Sequence, residues 1–186
     1  MTESKAQILG VAKDQFSQYG YDRVTIDDLG EAIGVTGPSL YRHFGSKLEI
    51  LVTLMDYVLE GLTKAADEVT HSGGPAMERL QRLVKLHIQF VLSDPQYIHI
   101  YHEEVDRLPA ESRETHRAKS NEYHALWHEL LGEIDPTLTI EQRTVATNAA
   151  IGVVNFTAFR EGYPLPPEDL LFKSALAALL AQSDTD

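Results

Sequence analysis

Cysteine is absent from the 186-residue chain, which removes disulfides, thiolate zinc sites and cysteine nucleophiles together and fits a reducing cytoplasm. Basic residues are scarce as well: 16 Lys and Arg stand against 28 Asp and Glu, a formal net charge of -12. The mean field therefore repels nucleic acid, so a DNA-binding function has to rest on local charge and shape. No long hydrophobic run is present. The most apolar interior stretch, 146–159, is interrupted by Asn148, Asn155 and two threonines and lies between Arg143 and Arg160. The first ten residues carry Glu3 and Lys5 without the apolar core of a signal peptide, so neither export nor a membrane span is expected and the chain reads as cytoplasmic. With 12 Gly and 8 Pro, collagen-like and low-complexity classes are excluded, and 43% hydrophobic with 24% charged residues is the composition of a globular protein.

Enzymatic signatures are also missing. There is no Gly-x-Ser-x-Gly elbow and no glycine-rich phosphate loop, and the GVTGPS segment at 34–39 reads as a turn. The chain is not expected to be an enzyme or to need a cofactor.

Apolar residues recur three and four apart almost throughout, and no stretch sustains strand-like alternation, so the expected fold is all-α with about nine helices. A first helix spans about Ser4 to Tyr19, with Ile8, Ala12 and Phe16 on one face and Gly20 as its stop. Thr25 caps a short second helix whose stripe is Ile26, Leu29 and Ile33, with Asp27 and Asp28 at the positive end of its dipole. Gly34 ends it, and Val35 is expected to plug the core beneath the corner. A third short helix starts at Thr36, whose hydroxyl can cap, and ends near His43 with Gly37 and Pro38 in its first turn. Ser46 and Glu49 form a capping box for a long helix to about residue 70, carrying Leu48, Leu51, Val52, Met55, Leu59 and Leu62. Beyond the break at 71–75 lie helices over 76–92, 95–105 and 110–131, one from the Thr139/Gln142 capping box to Glu161, and a last one from Pro166 through Ala181.

The stretch 25–47, TIDDLGEAIGVTGPSLYRHFGSK, has the spacing of a helix-turn-helix: a capped short helix, a glycine corner, a second short helix and a capped third. These residues closely resemble the tetracycline-repressor (TetR) family of regulators. The resemblance covers the first fifty or so residues and rests on Thr25, Ile26, Leu29, Ala32, Gly34, Val35, Leu40, Tyr41, His43, Phe44, Ser46, Lys47 and Leu48. Gly30 stands where the family usually has Ala, a weakening of the second helix by about 1 kcal/mol. The rest of the chain resembles the family's variable sensor domain in helix count and length.

The resemblance implies a DNA-binding domain over residues 1–47, a connecting helix over 47–70, and a ligand-sensing and dimerisation domain over 51–186. It implies that Thr25, Thr36, Gly37, Pro38, Ser39, Tyr41, Arg42, His43 and Lys47 contact double-stranded operator DNA. Thr36 to Ser39 would meet base edges, while Tyr41, Arg42, His43 and Lys47 offer donors toward phosphates. So short a recognition helix makes too few contacts alone, and a homodimer on a palindromic operator follows. Small residues let helix backbones approach and apolar ones supply area, so the dimer interface is expected at Val145, Ala149, Gly152, Val153, Phe156, Ala175, Leu176 and Leu179.

For the sensor domain the resemblance implies a cavity for a small, largely apolar effector, with Phe90, Ile98, Tyr101, Tyr123, Trp127, Asn155 and Phe156 as its expected lining. Ring-bearing residues at these spacings are equally what a helical core needs. Arg79, Arg82, Arg113, Arg117 and Lys119 could receive an anionic ligand such as an acyl thioester of coenzyme A, but a solvated face explains them better. His99 with His102, and His124 with His128, have helical metal spacing beside Glu103 and Glu129. HALWH lacks the internal Glu of a zinc hydrolase motif, so no metal is expected. A metal-responsive regulator, or a helical binding module without DNA activity, are the alternative readings.

Overall fold

The computed structural model describes residues 3–159 and 166–181. Among them are nine α-helices and no strand: α1 (Glu3–Tyr19), α2 (Ile26–Ile33), α3 (Gly37–Leu40), α4 (Lys47–Thr70), α5 (Ala76–Ser93), α6 (Pro95–Glu104), α7 (Ala110–Ile134), α8 (Ile140–Asn155) and α9 (Glu168–Leu180). Short 3-10 turns at Tyr21–Arg23, Val105–Arg107 and Phe156–Phe159 follow α1, α6 and α8. The all-α expectation holds. Among the described residues no helix is long and apolar enough to cross a membrane.

The chain forms two compact units, Met1–Leu59 with Gln96–His116, and Glu60–Pro95 with Arg117–Asp186. In the first, α1 buries Ile8, Leu9, Ala12 and Phe16, the 3.6-residue stripe its sequence spells out. The Phe16 ring meets Tyr21 edge-on at 5.2 Å. Thr25 and Asp28 close α2 reciprocally: the Asp28 N–H donates to the Thr25 hydroxyl at 3.1 Å, and the Thr25 N–H donates to the Asp28 carboxylate at 2.7 Å. These bonds hold the Asp28 carboxyl below its ordinary pKa.

The corner between α2 and α3 departs from the sequence reading in three ways. Gly34 sits at φ 73°, where a side chain would be strained, and the Val35 N–H then donates to the Gly30 carbonyl at 2.8 Å. The backbone of Val35, not its side chain, packs on α2, so Val35 is 40% exposed rather than a core plug. A Cβ on Gly30 would lie 2.7 Å from the Val35 carbonyl oxygen and 3.3 Å from the Gly37 nitrogen. Gly30 is therefore a packing requirement, and the propensity it loses in α2 is offset by the approach it allows. Thr36, finally, is extended at the start of α3 and makes no side-chain cap.

At the head of α4 the Ser46 hydroxyl accepts from the Glu49 N–H at 3.0 Å, while the Glu49 carboxylate reaches back to the Gly45 N–H at 2.7 Å, one residue beyond a standard capping box.

In the second unit α8 and α9 pack on each other and on α5. Leu80, Leu83, Val84, Ile88 and Val91 of α5, Leu126, Trp127, Leu130 and Leu131 of α7, Ala146, Ala150 and Val154 of α8, and Leu171, Ala175 and Leu179 of α9 are buried. Each large side chain among them contributes roughly 1.5–3 kcal/mol relative to exposure. The α8 helix stops earlier than its apolar pattern suggests. The Thr157 hydroxyl donates to the Val154 carbonyl at 2.8 Å, and the chain tightens to a 3-10 turn after Asn155. Glu161, the expected end, lies outside the described residues.

Candidate nucleic-acid interface and sensor core

The reading face is built by α2, the corner and α3. Thr36, Pro38, Tyr41 and Arg42 are exposed, Ser39 and His43 are half-buried, and Gly37 is buried because a Cβ there would collide with the Asp27 carboxylate. Tyr41 is 55% exposed, with its body available for contact. Arg42 Nη2 donates to the Ser39 hydroxyl at 2.8 Å, which joins two expected DNA contacts one helical turn apart. Thr25 is exposed, but its hydroxyl is engaged with Asp28.

Lys47 has a task inside the chain. Its ammonium donates to the carbonyls of Tyr21 and Val24, both at 2.8 Å, and lies 4.1 Å from the Tyr21 ring centroid. It thereby fixes the start of α4 to the segment that links α1 to α2. One ammonium hydrogen is left for a phosphate. Behind the face, Leu40 and Phe44 are core, and Lys5 lies 4.9 Å over the Phe44 ring. On the same unit Arg107 pairs with Asp22 at 2.7 Å and with Glu104.

The residues expected to line an effector cavity separate into three places. Phe90, Tyr123, Trp127 and Asn155 come together in the second unit around a residue that was not foreseen, His87. Its Nε2 lies 3.1 Å from the Asn155 side-chain oxygen and its Nδ1 lies 3.0 Å from the Tyr123 hydroxyl. Because the amide oxygen only accepts, Nε2 carries the proton and Nδ1 accepts from Tyr123. The Trp127 and Tyr123 rings lie 5.9 and 6.0 Å from the imidazole. Burial, helped by the nearby His124, pushes the His87 pKa down to about 4 against the pull of the Asn155 bond, so the ring is neutral at pH 7. Burial likewise pushes the Tyr123 hydroxyl up. The Trp127 indole N–H is buried and faces the Tyr123 hydroxyl, whose pKa it lowers slightly against the effect of burial.

Ile98 and Tyr101 belong to the other unit, where Tyr101 lies 5.2 Å from His116. Phe156 is 66% exposed on the turn after α8. The sequence signal for His87 was its position on the α5 stripe Leu80, Leu83, Val84, His87, Ile88, Val91, a polar residue in an apolar row. A polar groove of about 390 Å³ on α4 and α7 is lined by Glu60, Thr63, Lys64, Asp67, Lys119, Glu122 and Leu126, with Lys119 paired to Glu60 at 2.6 Å.

Of the expected dimer residues, Val145, Ala149, Gly152, Val153 and Phe156 form an exposed stripe on and just beyond α8. Ala175 and Leu179 face inward and are buried within the protomer, and Leu176 is half-buried. His124 and His128 have pKa values lowered first by burial, and among the described residues no three His, Asp or Glu side chains are grouped to hold a metal ion.

A capped α2, a glycine corner and a short exposed α3, followed along the chain by further helices, define a helix-turn-helix DNA-binding protein. Residues 8–54 match the family model described as bacterial regulatory proteins, tetR family, and residues 73–171 match the tetracyclin repressor-like C-terminal domain. The chain belongs to the TetR family of transcriptional regulators.

It is 28% identical over 124 residues to the HTH-type transcriptional repressor KstR2 of Rhodococcus jostii, covering 66% of this chain and 61% of that one. The chain thus spans less than two thirds of that repressor's length. In fold it is similar to a TetR-family regulator from Bordetella parapertussis, with a TM-score of 0.83 at 21% identity over 96% of this chain and 95% of that one. It is also similar to AibR in complex with isovaleryl coenzyme A and operator DNA, with a TM-score of 0.79 at 18% identity over 95% of this chain and 98% of that one.

Proposed function

We propose that this regulator is a repressor that binds a palindromic operator as a homodimer and leaves it when a small, largely apolar effector enters the second unit. The observation that carries the sensing half is the polar cluster of His87, Tyr123 and Asn155. Three helices contribute one hydrogen-bonding group each to one polar cluster in a largely apolar core, an arrangement that a purely structural core does not require. Thr36, Pro38, Ser39, Tyr41, Arg42 and His43 form the DNA face, joined by the remaining donor of Lys47 and by the main chain at Gly37, while Thr25, whose N–H and hydroxyl are both engaged with Asp28, holds the start of α2 instead. Val145, Ala149, Gly152, Val153 and Phe156, with the half-buried Leu176, form the dimer face.

The helix that begins at Lys47 continues to Thr70, so its residues belong to both units. An effector that displaces α4 would change the spacing of the two recognition helices, which must match major grooves ~34 Å apart. AibR, a structural relative, was crystallised with isovaleryl coenzyme A, so small compounds carrying a short acyl chain are the first effectors to try, with the polyanionic coenzyme A thioesters as the comparison. The test is retardation of duplexes from the chain's own promoter region, with and without each compound. Retardation relieved by a small acyl compound supports the proposal. Relief by a thioester alone replaces the apolar effector by an anionic one, a retarded duplex that no compound releases removes this effector class, and no retardation at low salt leaves a helical module without DNA activity.

A further inference from the structure

We infer that Arg42, aimed by Ser39, reads a guanine in the major groove rather than neutralising a phosphate. Arg42 is the only Lys or Arg between Thr36 and Ser46. In a chain with 28 acidic residues it forms no ion pair with a carboxylate among the described residues, and its guanidinium is held instead by a neutral hydroxyl, Ser39 Oγ, at 2.8 Å. Its charge is therefore left for an outside partner.

The direction of the tether decides which partner. Ser39 lies in α3, the segment whose early residues face base edges when a helix-turn-helix docks, and Arg42 lies in the tight turn that continues it, its N–H donating to the Ser39 carbonyl at 3.2 Å. A bond back to Ser39 draws the guanidinium along the reading face, whereas a phosphate contact needs it extended toward the groove wall. The bond uses one Nη2 hydrogen and leaves the other, with one on Nη1, as the parallel pair that matches guanine O6 and N7. It also leaves the Ser39 hydroxyl hydrogen free to donate to a neighbouring base or phosphate. Lys47, at the head of α4, keeps one ammonium hydrogen and offers the anchoring contact to a phosphate. This inference rests on the DNA-binding role of the family and not on the effector proposed above.

The test is selection of bound sequences from a randomised duplex library by the full-length chain and by Arg42→Ala, Arg42→Lys and Ser39→Ala, all exposed or half-exposed positions whose folding is checked by circular dichroism. The expected result is one G·C pair per half-site whose preference, about 5- to 150-fold over other pairs, collapses in both Arg42 variants and relaxes in Ser39→Ala while the other positions stand. Replacing that guanine by 7-deazaguanine should weaken the wild type and leave Arg42→Ala unchanged. If Arg42→Lys keeps the whole consensus and Arg42→Ala only lowers the salt slope by about 1 per protomer, the contact is to a phosphate and the inference is overturned. A wild type that enriches no sequence overturns the sequence-specific reading itself.

Discussion

The ammonium of Lys47 lies over the ring of Tyr21 and donates to that residue's own carbonyl, 26 positions earlier in the chain. The contact ties the first turn of α4 to the segment that links α1 to α2.

Lys47→Met is expected to lower the stability of the protein by roughly 1–3 kcal/mol, because two buried-side carbonyls lose a charged donor. It is also expected to reduce the slope of log K against log salt by about 1 per protomer through its remaining hydrogen. Denaturant melts and retardation assays at several salt concentrations separate the two effects. A destabilised variant with an unchanged slope makes Lys47 a clamp and nothing more.

Gly30→Ala should destabilise although alanine is the better helix former by about 1 kcal/mol. The added methyl would meet the Val35 carbonyl, and the α2–α3 corner has to open by several tenths of an ångström, a net loss of about 1–3 kcal/mol. Gly10→Ala, where a Cβ meets nothing within 4 Å inside α1, should stabilise by about 0.4–1 kcal/mol. Equal thermal shifts in the two variants would reject the close-packed corner.

His87 gives a signed pH dependence. Its folded pKa of about 4 lies below the unfolded value of 6.5, so its contribution is fully present above pH 6.5 and is lost as pH falls toward 4. The full loss is roughly 3 kcal/mol. Denaturant melts from pH 7.5 to 4.5 should show the wild type losing stability faster than His87→Gln through this window. Parallel curves would mean that the imidazole is not buried neutral.

Gly152→Arg adds a large cation where a Cβ meets nothing within 4 Å, on the exposed stripe of α8. It should yield folded monomers with weakened operator binding. Leu179→Arg, at a position with 0% exposure, should instead unfold the second unit, because an unpaired charge would sit in its core. Sedimentation velocity and circular dichroism on both distinguish the outcomes, and a folded Gly152→Arg that keeps its dimer mass would move the interface off α8.

Trp127 is 1% exposed beside His87 and Tyr123, so its emission reports on the sensor core alone. An effector that reaches this cluster is expected to shift that emission, and operator DNA should weaken the effector by the same factor by which the effector weakens DNA, typically 5–150-fold. Equal effector affinity for free and DNA-bound protein would reject the coupling.

What the sequence determined by itself was local. The 3.6-residue stripes of α1, α4 and α5, the Thr25 and Thr139 capping boxes and the stop at Gly34 depend on neighbours within four or five positions, so each helix and the helix-turn-helix spacing could be read from the chain. Tertiary structure decided what each face meets. Val35 turned outward because its backbone was needed against Gly30, and Ala175 and Leu179 turned inward because α9 packs on α5 and α8 within one protomer. His87 joined Tyr123 and Asn155 across 36 and 68 residues, and Lys47 found two carbonyls more than 20 positions away. Such contacts form only once helices are packed, since the pattern along one helix fixes which residues share a face but carries no information about the group that will lie opposite.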